Sequence, residues 1–182
     1  MGTVQCGGCR ILLHICCAPC SVACIAALHG EGFALTGYWD NPNIHPLLEY
    51  RARRDALSGY ADAIGLEVVW HGEYGLRSFV ADVAGDIDGR CRHCYDTRMR
   101  SAAQYAAVNE YDGFTSTLFI SPYQNHPLLT ASAEKAAALF GTSFLYRDFR
   151  PLFREGMQKA RELKLYAQKY CGCIFSEEER YQ

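Results

Sequence analysis

The cysteines of this 182-residue chain fall in tight groups, ten in all at positions 6, 9, 16, 17, 20, 24, 91, 94, 171 and 173. Cys16 and Cys17 are adjacent and Cys20 follows, within His14-Ile15-Cys16-Cys17-Ala18-Pro19-Cys20-Ser21. Neighbouring cysteines rarely bond each other, but their sulfurs can face two adjacent metal centres. Cys91 and Cys94 lie inside Arg90-Cys91-Arg92-His93-Cys94-Tyr95-Asp96-Thr97-Arg98. At the start of a helix they share one face, so both sulfurs can grip one iron–sulfur or zinc unit. Tyr95 stands where a haem-attachment motif needs His, which excludes covalent c-type haem. In Cys171-Gly172-Cys173 the glycine lets the backbone wrap closely around a metal. One zinc takes four ligands and one cubane iron–sulfur cluster takes at most four. Seven thiols, counting Cys20, therefore point to a second metal or to a catalytic thiol pair beside the first. Cys24 reads as a buried structural thiol, and Cys6-Gly7-Gly8-Cys9 as an accessory pair in an N-terminal stretch expected to be flexible.

The elements that must position these groups follow from periodicity. Short apolar runs at Arg10–Ile15, Ala34–Trp39, Leu66–Trp70, Gly113–Thr117 and Ser143–Tyr146 read as strands. Helical stretches run from Ser21, as N-cap, to Gly30, from Pro46 to Ile64 before Gly65, and from Leu76 to Val83. Others cover Cys91–Glu110, Thr130–Phe140 and Gln158–Leu165, and a cysteine-bearing tail over 168–182 is expected to fold onto the site. Strands alternating with helices predict one α/β domain over 1–182, a three-layer α/β/α sandwich with a mostly parallel sheet of about five strands. In such sheets the functional crevice lies at the carboxyl ends of the strands, so the loop from Cys16 to Cys20 should line it.

Composition narrows the class further. The chain is 49% hydrophobic and 21% charged, which excludes a disordered or fibrous protein, and its net charge of −2 excludes a polybasic tail. A disulfide-stapled secreted scaffold is usually shorter and spreads its cysteines between loops. Residues 11–28 carry no charge, yet Pro19, His14 and Ser21 make them a strand, a turn and a helix rather than a membrane span. We expect a soluble, cytoplasmic protein with no membrane partner. On the thiols alone three readings stand: a metal-dependent enzyme, a thiol–disulfide oxidoreductase using Cys17 and Cys20, and a non-catalytic zinc-binding module.

Five segments carry a resemblance. LLHICCAPCS, YWDNPNIHP, CRHCYDTRM, TSTLFISPYQNH and YAQKYCGCIFS resemble, in order and spacing, the signature segments of the QueH-type, cobalamin-independent epoxyqueuosine reductases, over about residues 10–176. The resemblance implies an adenine nucleotide α-hydrolase (HUP-like) fold and reduction of epoxyqueuosine to queuosine at the wobble position of tRNA. It also implies a [4Fe-4S] cluster and an adjacent second iron ion. Carried over by motif, the ligands are Cys17, Cys91 and Cys94 for the cluster, and Cys16, Cys171 and Cys173 for the second iron. Cys20 is a further candidate ligand, at a position where the family can carry Asp. Cys6, Cys9 and Cys24 match no family motif. A nucleotide-hydrolysing relative would want a Gly/Ser-rich phosphate loop where CCAPCS stands.

Removing an epoxide oxygen as water needs two electrons and two protons, so an electron donor is an implied partner. An iron with an open position can polarise the oxygen as a Lewis acid while the cluster delivers electrons. His14, Tyr95 and Asp96 are the nearest candidate catalytic proton donors. The substrate, tRNA carrying epoxyqueuosine, needs phosphate contacts. Candidates lie in Arg51, Arg53 and Arg54, in Arg90, Arg92, Arg98 and Arg100, and in Arg147, Arg150 and Arg154. Arg92, Arg98 and Tyr123 are the residues expected to bind substrate. Tyr38, Trp39 and Tyr123 offer stacking surfaces for an unpaired base, with Trp39 and Trp70 assigned mainly to the core.

Overall fold

The computed structural model describes residues 8–182. Four strands, β1 (Arg10–His14), β2 (Ala34–Trp39), β3 (Val68–Trp70) and β4 (Gly113–Ser116), form a parallel sheet in the order β3-β2-β1-β4. Strand β1 is central, with Leu13 opposite Gly37 of β2 and Thr115 of β4. Its Ile11, Leu12 and Leu13 are fully buried, as a strand covered on both faces requires. The chain winds outward from β1 to β3 and then returns to pair β4 on the other side of β1. That reversal places a topological switch point between β1 and β4, where the crevice of an open parallel sheet opens.

Seven helices complete the three layers: α1 (Ala18–Gly30), α2 (Leu47–Ile64), α3 (Leu76–Val83), α4 (Arg90–Val108), α5 (His126–Phe140), α6 (Phe153–Glu162) and α7 (Ile174–Tyr181). Helix α1 packs with α6 and α2, while α4 packs with α5. Buried Ala102, Ala103 and Ala106 of α4 and Ala133, Ala136 and Ala137 of α5 are small enough for the two helices to approach closely. No described helix is long and apolar enough to cross a membrane.

Several boundaries differ from expectation. The fifth strand is absent: Phe114 and Phe144 form one isolated bridge, closed by Phe114 N to Ser143 O and Leu145 N to Phe114 O, both 2.9 Å. Ser143 and Tyr146 face solvent on either side of it, so further pairing would bury little. Helix α1 begins at Ala18 with Cys17 as N-cap, because Pro19 is tolerated in a first turn whose N–H groups lack intrahelical partners. Ser21, expected as the cap, instead donates its hydroxyl to Ala18 O at 2.8 Å inside the helix. Helix α5 starts four residues early at His126, capped by Asn125, whose side chain accepts from Leu128 N at 3.1 Å. Helix α6 starts at Phe153 and ends at Glu162, and α7 forms within the stretch expected as a tail.

Residues 8 and 9 join the fold: Gly8 N donates to Gly32 O and Ala34 N to Cys9 O, both at 2.9 Å, and Cys9 is buried. Cys6 lies outside the described residues. Trp39 is in the core, but Trp70 on the edge strand β3 is 44% exposed.

The close approach of the 143–146 segment to the sheet depends on Gly113. A Cβ there would meet the Ser143 carbonyl oxygen at 2.8 Å. Gly113→Ala should therefore part the Phe114–Phe144 bridge and destabilise the domain by about 1–3 kcal/mol. Urea unfolding of the two proteins checks this.

Candidate metal centre

Each cysteine group occupies a helix N-terminus. Cys17 is the N-cap of α1, with extended backbone (φ −168°, ψ 153°), and Cys20 sits in the first turn. The sulfurs of Cys16, Cys17 and Cys20 all lie within 4.8 Å of one another, with Cys16 and Cys17 3.9 Å apart. Cys91 and Cys94 open α4 behind Gly89, and Cys173 is the N-cap of α7. The unpaired N–H groups and partial positive charge of a helix start favour thiolate over thiol. The seven thiols are free, as is that of Cys24. Burial raises the pKa values of Cys91 and Cys94, and the charges of Cys171 and Cys173 raise them further.

Two buried guanidinium groups answer that charge. Arg98, 2% exposed, donates from Nε to Asn43 Oδ1 at 2.7 Å and feels the charges of Cys94, Cys16 and Cys171. Its Nη2 is buried without a hydrogen-bond partner among the described residues. Arg53, 1% exposed, pairs with Glu49 at 2.7 Å and donates to the carbonyls of Cys171 (2.9 Å) and Tyr170 (3.0 Å). It lies near enough to Cys17 and Cys16 for their charges to raise its own pKa. The arrangement fits a metal group held by thiolates: soft donors in one small volume, and a buried cation whose free N–H awaits an acceptor.

Titration of the bare thiols is divided. Hydrogen bonding from Cys17, then from Cys20, holds Cys16 well below the usual thiol range. Burial drives Cys17 up, hydrogen bonding to Cys16 does the same for Cys20, and burial pushes Cys94 up to about 12. Without a cation to displace their protons, most of the set stays in the thiol form.

Arg53 and His45 fasten the 170–174 segment. His45 N donates to Gly172 O at 2.7 Å, Tyr170 OH to His45 O at 2.6 Å, and Ile174 N to His45 Nδ1 at 3.3 Å. Gly172 adopts φ 151°, and a Cβ there would lie 3.4 Å from Arg53 Nη1 and Ile44 Cγ1. Three side-chain amides reach sulfur: Asn43 Nδ2 to Cys94 (3.2 Å), Gln124 Nε2 to Cys171 (3.4 Å) and Gln168 Nε2 to Cys17 (3.1 Å). Beside them opens a cavity of about 500 Å³ whose walls include Cys16, Cys20, Cys171, Tyr123, Phe153 and Lys169.

Among the residues expected at the site, Cys16, Cys17 and Cys20 form one compact trio, Arg98 lies within reach of the charges of Cys94, Cys16 and Cys171, and Cys91 and Cys171 are exposed. Arg98 is buried against the thiols instead of exposed for phosphate. Arg53, expected in a basic run, is buried as well. Tyr123 is 85% exposed at the cavity, edge-on to Phe153 at 6.1 Å. His14 is fully buried, with Nδ1 at 2.9 Å from Ser116 Oγ and Nε2 at 3.2 Å from Asp40 O. Burial, then the charge of Arg98, lowers its pKa to about 4, so it is a neutral member of the sheet interior. Tyr95 gives its hydroxyl proton to Gln124 Oε1 at 2.7 Å. Asp96 and Arg92 are not among the cavity-lining residues. Tyr38 is buried, with its hydroxyl on Ser101 at 2.8 Å. Cys24 is a fully buried core thiol. Arg147 pairs with Glu31 and Arg150 with Asp148. Asn43, Gln124, Gln168, His45 and Glu49 were missed. The first four lie within the quoted segments or beside the cysteines, and an amide flanking a cysteine motif is the signal that was available.

A doubly wound parallel sheet whose switch-point crevice is lined by free thiols, in place of a phosphate loop, defines an α/β protein with a thiol-rich site. The chain belongs to the family described as epoxyqueuosine reductase QueH, which matches residues 11–179. A relative of that name from Dehalococcoides mccartyi is 40% identical over 172 residues, 94% of each chain. One from Thermotoga maritima is 33% identical over 180 residues, 93% of this chain and 91% of the relative. Among solved structures, the U34-tRNA thiolase NcsA from Methanococcus maripaludis, with its [4Fe-4S] cluster, is similar in fold, with a TM-score of 0.60 at 13% identity. The likeness covers 97% of this chain, which spans 65% of that protein's length.

Two outcomes follow for the 170–174 segment. Arg53→Met would leave Glu49 buried and unpaired, costing on the order of 3–5 kcal/mol, and limited proteolysis should cut between 164 and 173. Glu49→Gln in that background should restore part of the loss. Burial lowers the pKa of His45 from 6.5 to about 4, while its neutral ring donates to Pro42 O and accepts from Ile174 N. The unfolded chain therefore binds the proton more tightly. The His45 contribution is whole above pH 6.5 and is lost as pH falls towards 4. Amide exchange at residues 170–174 of the metal-free protein should rise over that range, and His45→Gln should flatten the rise.

Proposed function

We propose that this chain reduces the epoxide of epoxyqueuosine in tRNA to the alkene of queuosine, using an iron–sulfur cofactor and a second iron held by its seven grouped thiols. The observation that carries the reading is the compact sulfur trio Cys16, Cys17 and Cys20 beside a cavity whose wall also holds Cys171, in a chain that belongs to this family over residues 11–179. The cofactor, when bound, supplies the reaction's electrons. We assign Cys91, Cys94, Cys171 and Cys173, the pairs at the starts of α4 and α7, to the [4Fe-4S] cluster, which takes up to four thiolates. Cys16, Cys17 and Cys20, whose sulfurs form one compact trio, are assigned to the second iron. This partition differs from the one carried over by motif.

The remaining residues bind and orient the substrate. A cavity of about 500 Å³ suits one extruded nucleoside. Tyr123 and Phe153 offer it an aromatic wall, and Lys169 and Arg180 on the rim offer cations to the flanking phosphates. Exposed Arg51, Arg92, Arg100 and Arg154 extend the charge available to tRNA. Protons for the departing oxygen reach it through the open rim of the cavity, where Tyr123 and Lys169 are exposed. An electron donor must complete the cycle, and tRNA modification implies a cytoplasmic setting. The rival thiol–disulfide reading is disfavoured, since it leaves Cys91, Cys94, Cys171 and Cys173 without a role.

Nucleoside mass spectrometry of tRNA tests the activity. Cells lacking the protein should accumulate epoxyqueuosine, cleared by the wild type and not by Cys91→Ala; unchanged queuosine would refute the reading. Anaerobically purified protein should carry iron and acid-labile sulfide. Tyr123→Ala should weaken tRNA turnover by roughly 5- to 150-fold, in line with about 1–3 kcal/mol for base stacking.

A further inference from the structure

Two chains of hydrogen bonds run from obligate donors into the cysteine site, and their polarity is fixed. The Arg98 guanidinium has no acceptor atom. The Asn43 atom facing its Nε at 2.7 Å is therefore the carbonyl Oδ1, which turns Nδ2 towards Cys94 Sγ at 3.2 Å. The second chain begins at the backbone N–H of Asn125, which donates to the Tyr95 hydroxyl at 3.2 Å. With that oxygen accepting, its own proton goes to Gln124 Oε1 at 2.7 Å, and Gln124 Nε2 is left facing Cys171 Sγ at 3.4 Å. Flipping Asn43 would oppose two donors. Flipping Gln124 would set its NH₂ against a hydroxyl that is already accepting. Asn43 is 4% exposed, Tyr95 3% and Arg98 2%, so little water competes at the anchors, while Gln124 is half-buried and meets Cys171 at the exposed edge of the site.

We propose that Asn43 and Gln124 are positioning residues that raise the reduction potential of the metal group held by Cys94 and Cys171, each by aiming a fixed N–H at its sulfur. The proposal rests on the reading that these cysteines hold an iron–sulfur cofactor. One-electron reduction adds a negative charge to such a group, shared with the ligand sulfurs. A donor locked against sulfur stabilises the reduced state more than the oxidised one, and hydrogen bonds to sulfur are a known lever on cluster potential. Rigidity matters here: because each amide is anchored from behind, its dipole cannot reorient when the charge changes, so the stabilisation is built in beforehand. The pair also explains why Tyr95 is buried beside the thiols while its hydroxyl proton is already committed.

Asn43→Asp and Gln124→Glu preserve shape. One carboxylate oxygen still receives Arg98 or Tyr95, and the other replaces the N–H facing sulfur. The test is an anaerobic redox titration of the iron-loaded proteins, followed by electron paramagnetic resonance, with iron and sulfide measured on each sample. Both variants should shift to lower potential, raising the oxidised-to-reduced ratio at the wild-type midpoint by roughly tenfold, about 59 mV for a one-electron couple. Tyr95→Phe removes only the anchor behind Gln124 and should shift the potential in the same direction. It leaves both amides in place and remains informative if a carboxylate variant fails to hold iron. Loaded variants whose midpoints match the wild type would overturn the proposal. A wild type that binds neither iron nor sulfide would instead overturn the proposed cofactor.

Discussion

Burying several sulfurs that must become negative, within one small volume, is the constraint to which the rest of this molecule answers. Thiolates in a dry site repel one another, and burial alone drives them back to thiols. Three helix N-termini and two buried guanidinium groups supply the opposing charge. Arg53 and Arg98 are themselves costly to bury, and each is held by neutral or anionic partners. For Arg53 these are Glu49 and two backbone carbonyls; for Arg98, Asn43 and the sulfurs. The unpaired Nη2 of Arg98 marks where the balance still wants a negative partner.

The sheet's part in this is geometric. Because β1 is central and the winding reverses beside it, the turn leaving β1 opens into the crevice, and the cysteines of that turn arrive already at a helix start. The first turn of α4 and the N-cap of α7 are brought there by different means. Helix α4 is laid against β1 and β4 by an alanine-rich face, whereas α7 is hung from His45 and Arg53 by main-chain hydrogen bonds. Packing fixes one group of ligands and polar contacts fix another.

Much of this was legible in the residues. The short apolar runs located four strands, and the cysteine spacings located the site, since both signals are local. The fifth strand failed because Ser143–Tyr146 has strand-like residues but only one bridging neighbour, a fact that no local pattern carries. Arg53 was read as a phosphate contact because it stands in a basic run with Arg51 and Arg54. What buries it is a segment 117 residues further along. His14 looked like an acid by proximity in sequence, but alternation along β1 turns it into the sheet interior, onto Ser116 of the neighbouring strand. Asn43 and Gln124 were visible as letters inside the motifs, but their roles depend on which atom of each amide faces which neighbour.

The span of the Arg53 contacts has a consequence for how the site comes to exist. Bonds joining residues 117 and 118 positions apart close very large loops, and such closures are entropically slow to form compared with neighbouring strand pairs. The β1–β4 pairing that opens the crevice, with His14 opposite Ser116, spans 102 residues and carries nearly the same closure cost, so crevice and arm are both long-range constructions and the site comes to exist only as the whole domain closes.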